Sequence, residues 1–262
     1  MAIILYEHPL SPFAQKVKIA LREKGVAFER RTPNAIGSGE IAEGFAEASP
    51  FAEVPALIDD GFSIFDSTIM LEYIEQKWPK PDLLPENPAL AAKARMIEEV
   101  MDTRYEAASW GVFEVVIFRR AEGAKAEALL EAARATTAGI HRWLERQFHG
   151  PDWFGAREFG WADLSVAPYL AAATADGMGP EPGSLLSEWL ARAMARPSVA
   201  ETLAEAQAVA PSFPLVHEAV KAGLFKRQYR DHRLEWMIRS GGLDIVSEGL
   251  QADNIRFSPN LS

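Results

Sequence analysis

Three short pairs of residues within the first seventy positions have the types and spacing to do chemistry. Ser11-Pro12, followed by Phe13 and by Lys16 to Leu21, sets a hydroxyl and a first-turn proline where a helix begins. Unpaired backbone N–H groups and the positive end of the helix dipole then face any nearby anion. A thiolate held there by the Ser11 hydroxyl has its pKa lowered, because a hydrogen bond to the charged form stabilises that form. Ser11 serves equally well as an N-cap alone, and the two roles are compatible. Val54-Pro55 stands at the start of a strand, where a proline inside a central ladder is penalised. A cis bond at Pro55 reconciles the two, turning the Val54 backbone N–H and C=O outward, open to a peptide-like ligand. Asp66-Ser67 heads the next helix and offers a carboxylate for an ammonium group, and a hydroxyl with N-terminal amides for a carboxylate. An α-amino-acid head group needs both, although N-capping alone is the other use of this pair.

Composition narrows what these pairs can serve. The 262 residues hold 27 Lys and Arg against 37 Asp and Glu, a net charge of −10 that repels phosphate backbones and anionic lipid, so no nucleic-acid or membrane partner is expected. There is no cysteine, which excludes disulfides, thiolate metal sites and a cysteine nucleophile, so a ligand must bring any thiol. The five histidines, His8, His141, His149, His217 and His232, have no metal-binding spacing and read as surface or capping residues; no metal is expected. No apolar run approaches the ~20 residues of a membrane span, and Met1 to Leu5 is too short for a signal core, which gives a cytoplasmic expectation.

The elements that must position the pairs follow from periodicity. Ile3 to Tyr6 reads as a buried strand, Ser11 caps a helix that Gly25 stops, and Val26 to Arg31 is strand-like. A second helix is expected within Glu40 to Ala48. Val54 to Ile58 and Ser63 to Phe65 then flank Asp59, Asp60 and Gly61, the tight turn of a hairpin, before the helix headed by Asp66. The order is β-α-β-α-β-β-α over residues 1 to 80. Pro79, Pro81, Pro85 and Pro88 crowd one polar stretch, and residues 81 to 88 form the linker. From 89 to 211 the pattern is helical, with segments from Ala89 to Ala121, Ala124 to Phe148, Trp161 to Ala175, Leu185 to Ala195 and Val199 to Ala208. Residues 212 to 262 form an extension, helical around Val216 to Ala222 and Arg230 to Ile238, ending in a tail from Leu250 without clear period.

A strand leading to Ser11-Pro12-Phe13, a Val54-Pro55 before a strand and Asp66-Ser67 before a helix, in this order and at these distances, resemble the cytosolic glutathione transferases. The resemblance implies an α/β thioredoxin-like domain that binds glutathione as co-substrate, joined to an all-α helical-bundle domain, with a small hydrophobic electrophile between them. It implies a homodimer. Position by position, Ser11 matches the thiol-activating serine, Val54 the residue whose backbone pairs with the cysteinyl unit, Pro55 the cis-proline, and Asp66 and Ser67 the pair that holds the γ-glutamyl group. Several classes use a tyrosine near the end of the first strand, so Tyr6 is the competing hydroxyl; its place in Ile3-Ile4-Leu5-Tyr6 suits a strand aromatic, and Ser11 is preferred. Phe159 to Leu164 resembles the family's capping element, with Asp163 structural and Gly160 where the family has Ser or Thr, which weakens the cap.

No Lys or Arg stands between Thr32 and Gln76, where family members commonly hold the glycyl carboxylate with a cation; Asn34, Ser38, Lys16 or an arm of the other domain remain for it. The electrophile pocket is expected to draw on Phe13 and on Arg104, Tyr105, Trp110, Phe113 and Phe118 of the first long helix, while Arg119-Arg120 reads as a solvated pair. The Gly-rich turn and closing Phe257-Ser258-Pro259 of the tail resemble omega-like bacterial glutathione-dependent lyases of aryl ethers, which carry cysteine in the place of Ser11. The reading is a transferase in which Ser11 holds the glutathione thiolate for attack on an aromatic or benzylic carbon. The alternatives are an aryl-ether or thioether lyase and a non-catalytic binding module.

Overall fold

The computed structural model describes residues 3–33, 44–148, 152–155, 158–209 and 216–258. The chain begins with β1 (Ile3–Tyr6), α1 (Pro12–Glu23), β2 (Phe28–Arg31), α2 (Phe45–Ala48), β3 (Ala56–Asp59), β4 (Phe62–Phe65) and α3 (Ser67–Lys77). Residues 40–43 of the expected second helix lie outside the described residues. The sheet order is β2-β1-β3-β4, with β1 parallel to β2 and antiparallel to β3. Leu5 pairs with Leu57 at its centre, and both are fully buried. Asp60 and Gly61 both have positive φ, the geometry of a two-residue hairpin turn that follows the twist of its strands. Gly25, at φ +66°, ends α1: its N–H reaches Arg22 O and that of Val26 reaches Leu21 O, which satisfies two carbonyls of the last turn. This is the thioredoxin-like order expected from the sequence.

The helical unit holds α4 (Pro88–Glu99), α5 (Glu106–Val116), α6 (Gly123–Glu145), α7 (Trp161–Ala175), α8 (Leu185–Met194) and α9 (Pro197–Val209). The single helix expected over Ala89 to Ala121 is interrupted: Val100–Tyr105 is π-helical between α4 and α5, and the helix stops at Val116. Wider turns of this kind are frequent at functional sites. The extension folds as α10 (Val216–Lys221), β5 (Arg227–Gln228), α11 (Asp231–Arg239), α12 (Leu243–Gln251) and β6 (Ile255–Arg256), with β5 parallel to β6. The tail from Leu250 is therefore structured up to Arg256, contrary to expectation. Strands of two residues are too short to carry a period.

Three devices join these parts. Leu83 of the linker accepts the Trp161 N–H at 2.7 Å, and a Cβ on Gly160 would stand 2.5 Å from that same Leu83 oxygen. The cap of α7 is therefore not weakened: a linker carbonyl replaces the missing hydroxyl, and only glycine lets it approach. Asp163 completes the cap, accepting from Gly160 N at 3.0 Å, Phe154 N at 3.2 Å and Trp189 Nε1 at 2.8 Å. The extension docks on α5 by ion pairs of Arg233 with Glu106 and Arg227 with Glu114, and both guanidiniums stack on the Trp110 ring, 3.7 and 3.4 Å from its centroid. Arg120 is no solvated residue but is drawn inward to Glu114 and Ile245 O. Gly111 admits the ring of Trp236, whose carbon would lie 2.0 Å from an added Cβ.

The third device is α1 itself. The sheet covers one side and the helical unit the other, so its polar side is buried too, and Lys16 and Lys18 are fully buried. Lys16 pairs with Glu98 and Asp102, Lys18 with Glu7 and Glu205, Arg22 with Glu201 and Glu205, and Lys24 with Glu75. Removing one member of a buried pair strands the other's charge in a dry site. Lys16→Met is accordingly expected to lower the unfolding free energy by about 3–5 kcal/mol in urea titrations; a loss below about 1 kcal/mol would contradict this account.

Candidate active site between the two units

A cleft of about 520 Å³ opens where the two units and the extension meet. Ligand pockets commonly fall within roughly 300–1,000 Å³. Its thioredoxin-side wall includes Phe13 of α1, Glu53, Val54 and Pro55 before β3, and Asp66, Ser67 and Thr68 at the head of α3. The Val54–Pro55 peptide bond is cis, and the ladder of β3 begins only at Ala56, so Val54 enters the cleft ahead of the sheet. Asp66 caps α3, its Oδ1 accepting from Thr68 N at 2.9 Å and Ile69 N at 3.2 Å. Its φ of +72° and ψ of 123° are costly for a residue with a side chain, by about 1–3 kcal/mol, and strain of this kind collects at ligand clamps.

The N-cap of α1 is Ser11, whose Oγ accepts from Ala14 N at 3.4 Å. It is partly exposed, two residues from Phe13, and does not itself line the cleft. Tyr6, the competing hydroxyl, packs its ring 5.3 Å from Phe45 and engages Arg31, and it also lies off the cleft. Asn34 and Ser38 are outside the described residues. Lys16 is held by Glu98 and Asp102 and does not reach the cleft wall.

The opposite wall differs from expectation. Of the residues sought on the first long helix, only Arg104 lines the cleft. Tyr105 is fully buried, its hydroxyl 2.9 Å from His141 Nε2, which also makes His141 an internal residue rather than a surface one. Trp110 lies under the extension between Arg227 and Arg233, while Phe113 is half-buried outside the cleft and Phe118 stacks on Phe225. The π-helical stretch turns Asp102, Thr103 and Arg104 into the cleft instead. The extension supplies a third wall, with Arg230, Asp231, His232 and Glu235. Periodicity did not select these; the one signal available was the want of cations in residues 33 to 76, which pointed outside the first unit.

Electrostatics in this region follows from burial. Two carboxylates share the Lys16 ammonium, and burial raises the Asp102 carboxyl to about 6, with Glu98 adding to the rise and Lys16 opposing it. Burial opposes the Lys16 charge, but Asp102 and Glu98 overcome it, and its pKa is raised. Burial by itself would also raise Glu106; Arg233 and His232 outweigh it and bring the carboxyl down to about 2. The His232 ring, 2.9 Å from Glu106 through Nε2, is thereby fixed beside the cleft.

Residues 5–82 match the family model of the glutathione S-transferase N-terminal domain. Glutathione S-transferase U6 of Arabidopsis thaliana is 28% identical over 174 residues, covering 65% of this chain and 73% of that protein. A stringent starvation protein A homolog of Haemophilus ducreyi is 28% identical over 158 residues, covering 60% and 68%. Among solved structures, a glutathione S-transferase from Rhodospirillum rubrum superposes with a TM-score of 0.65 at 28% identity, covering 77% of this chain and 91% of the other.

Asp102 supplies a test of the cleft's electrostatics. Its carboxyl is protonated in both states below about pH 4; between there and about 6 the unfolded chain has released a proton that the folded chain keeps. The Asp102 contribution to stability therefore falls as pH rises through this window and levels off above it. In urea unfolding from about pH 4 to 7, Asp102→Asn should flatten the decline relative to the wild type, and parallel curves would refute the assignment.

Proposed function

We propose that this chain, which matches the glutathione S-transferase N-terminal domain over residues 5–82 and is similar to glutathione S-transferases over most of its length, is a cytosolic glutathione transferase that binds glutathione against its thioredoxin-like unit and joins the glutathione sulfur to an electrophile held in the cleft. The observation that carries the reading is the convergence of Val54, cis-Pro55, Asp66 and Ser67 on one wall, beside the N-terminus of α1. Asp66 takes the γ-glutamyl ammonium through its carboxylate, while the Ser67 hydroxyl and backbone N–H take the carboxylate, the Thr68 and Ile69 amides being occupied by the Asp66 cap. The Val54 N–H and C=O pair with the cysteinyl unit in strand fashion. Ser11 donates its hydroxyl hydrogen to the thiolate, which keeps that sulfur ionised near neutral pH. The sulfur lone pair then forms the C–S bond as the leaving group departs with its electron pair.

The electrophile meets aromatic surface at Phe13 and Phe51 and polar groups at Thr103, Arg104 and His232. This favours an aromatic compound with polar substituents over a purely hydrophobic one. Among the described residues, no helix is long and apolar enough to cross a membrane, and with the absence of cysteine this supports assignment to the cytoplasm. A homodimer is supported by Phe62, Ile69 and Met96, large apolar side chains left exposed on neighbouring elements of the first unit and α4. Met96→Glu is expected to shift a dimer toward monomer in sedimentation equilibrium; an unchanged mass would remove this face from the proposal.

A binding-only reading is favoured by one observation, that Ser11 caps α1 without lining the cleft. Ser11→Ala separates the two. Loss of a hydrogen bond to a charged sulfur should raise the thiol pKa of bound glutathione by about one to two units and lower turnover at neutral pH about ten- to hundredfold. Thiolate ultraviolet absorbance and conjugation rates measure both quantities. Binding without turnover in the wild type, or unchanged turnover in the variant, would leave the binding-only reading.

A further inference from the structure

Glutathione carries two carboxylates, and the head of α3 answers only one of them. With the γ-glutamyl end at Asp66 and Ser67 and the cysteinyl unit against Val54, the glycyl end runs past Val54 toward Glu53. That end carries a negative charge and meets another. No Lys or Arg occurs from residue 33 to residue 76, so the first unit has no cation in that stretch to receive it. Lys16 is engaged by Glu98 and Asp102. A partner must come from elsewhere in the fold.

Two guanidiniums line the cleft, Arg104 and Arg230. Arg104 belongs to the far wall and leans toward Glu235, 3.7 Å away. Arg230 comes from the extension, between β5 and α11, with its Nη2 3.8 Å from Glu53 Oε2. That separation brings it to the glycyl end but is too long for a hydrogen bond. Neutral donors, Gln228 Nε2 and Ser258 Oγ at 3.1 Å, meet Glu53 at its other oxygen, Oε1, so Arg230 faces Oε2 through a long contact alone and can turn to a ligand. Arg256 also approaches this region, donating to Gln228 Oε1 at 2.8 Å, but does not line the cleft.

We infer that Arg230, carried in by the C-terminal extension, holds the glycyl carboxylate of glutathione, an inference that rests on the glutathione reading of the cleft. The extension thus completes a site whose other groups all lie within the first seventy residues. Glu53 disfavours the same carboxylate, so Arg230 is the group on which glycyl-end recognition depends. A neutral ligand end would gain nothing from it.

Calorimetric titration of the full chain with glutathione and with its glycine monoethyl ester tests this directly. The wild type should bind glutathione about tenfold more tightly than the ester, a modest figure because the Arg230 side chain is one-third exposed. Arg230→Ala should weaken glutathione about tenfold while leaving the ester unchanged, so that the preference disappears. Arg230→Lys should restore part of it. A preference that survives in Arg230→Ala, with glutathione still bound, overturns the inference and leaves the glutathione reading intact. If the wild type binds neither ligand, both fall together.

Discussion

The arrangement of the whole chain rests on one lysine that never meets water. Lys16 leaves α1 toward the helical unit and finds Glu98 and Asp102 there. A buried ammonium with two buried carboxylates is tolerable only when the remaining lone pairs are also met. Thr68 Oγ1 and Trp161 Nε1 donate to Glu98, and the Tyr169 hydroxyl donates to Asp102. These donors come from α3 and α7, so one polar cluster ties together the head of α3, the three helices α1, α4 and α7, and the π-helical stretch. Thr68 and Asp102 also line the cleft. Cleft geometry and unit packing are therefore one constraint rather than two.

The same cluster governs where charge is available. Three cations of α1 and Lys24 at its C-cap are engaged by acids of surrounding elements, and the stretch that follows β2 has none. The balance is restored from the far end of the chain, where the extension lays Arg227 and Arg233 on Trp110 and anchors them on Glu114 and Glu106. Aromatic rings that looked like cleft lining are used as this anchor. That is why the far walls of the cleft present threonine, guanidinium and imidazole.

The first unit was legible because its signals are local. A proline after a serine, Asp-Gly between short apolar runs and Asp-Ser before an apolar helix each state a backbone geometry within a few residues. What could not be read was set by partners distant in sequence. The burial of Lys16 and Lys18 is set by the second unit that covers α1, and the spacing within the helix does not state it. Gly160 looks like a defective cap until Leu83 arrives with a carbonyl. Tyr105, Trp110 and Phe113 could not be sorted by spacing, because a π-helical turn shifts the faces that follow it and the extension covers what it leaves. The missing cation was visible, but its replacement lay some 150 residues later.

Whether the extension acts as a gate or as a fixed wall follows from what holds it. Its underside is a small core of its own, with Leu129, Tyr229, Met237, Ile245, Val246 and Ile255 all buried. Glu106 stays ionised down to about pH 2, so its pairing with Arg233 persists through the physiological range. Opening would expose that core and strand Glu114, which is fully buried, without Arg227. Binding that needs no segment to be ordered avoids the entropy of ordering it, which is the advantage of preorganisation. The segment that carries Arg230 and His232 is therefore part of the resting cleft wall, placed there by contacts that no ligand has to make.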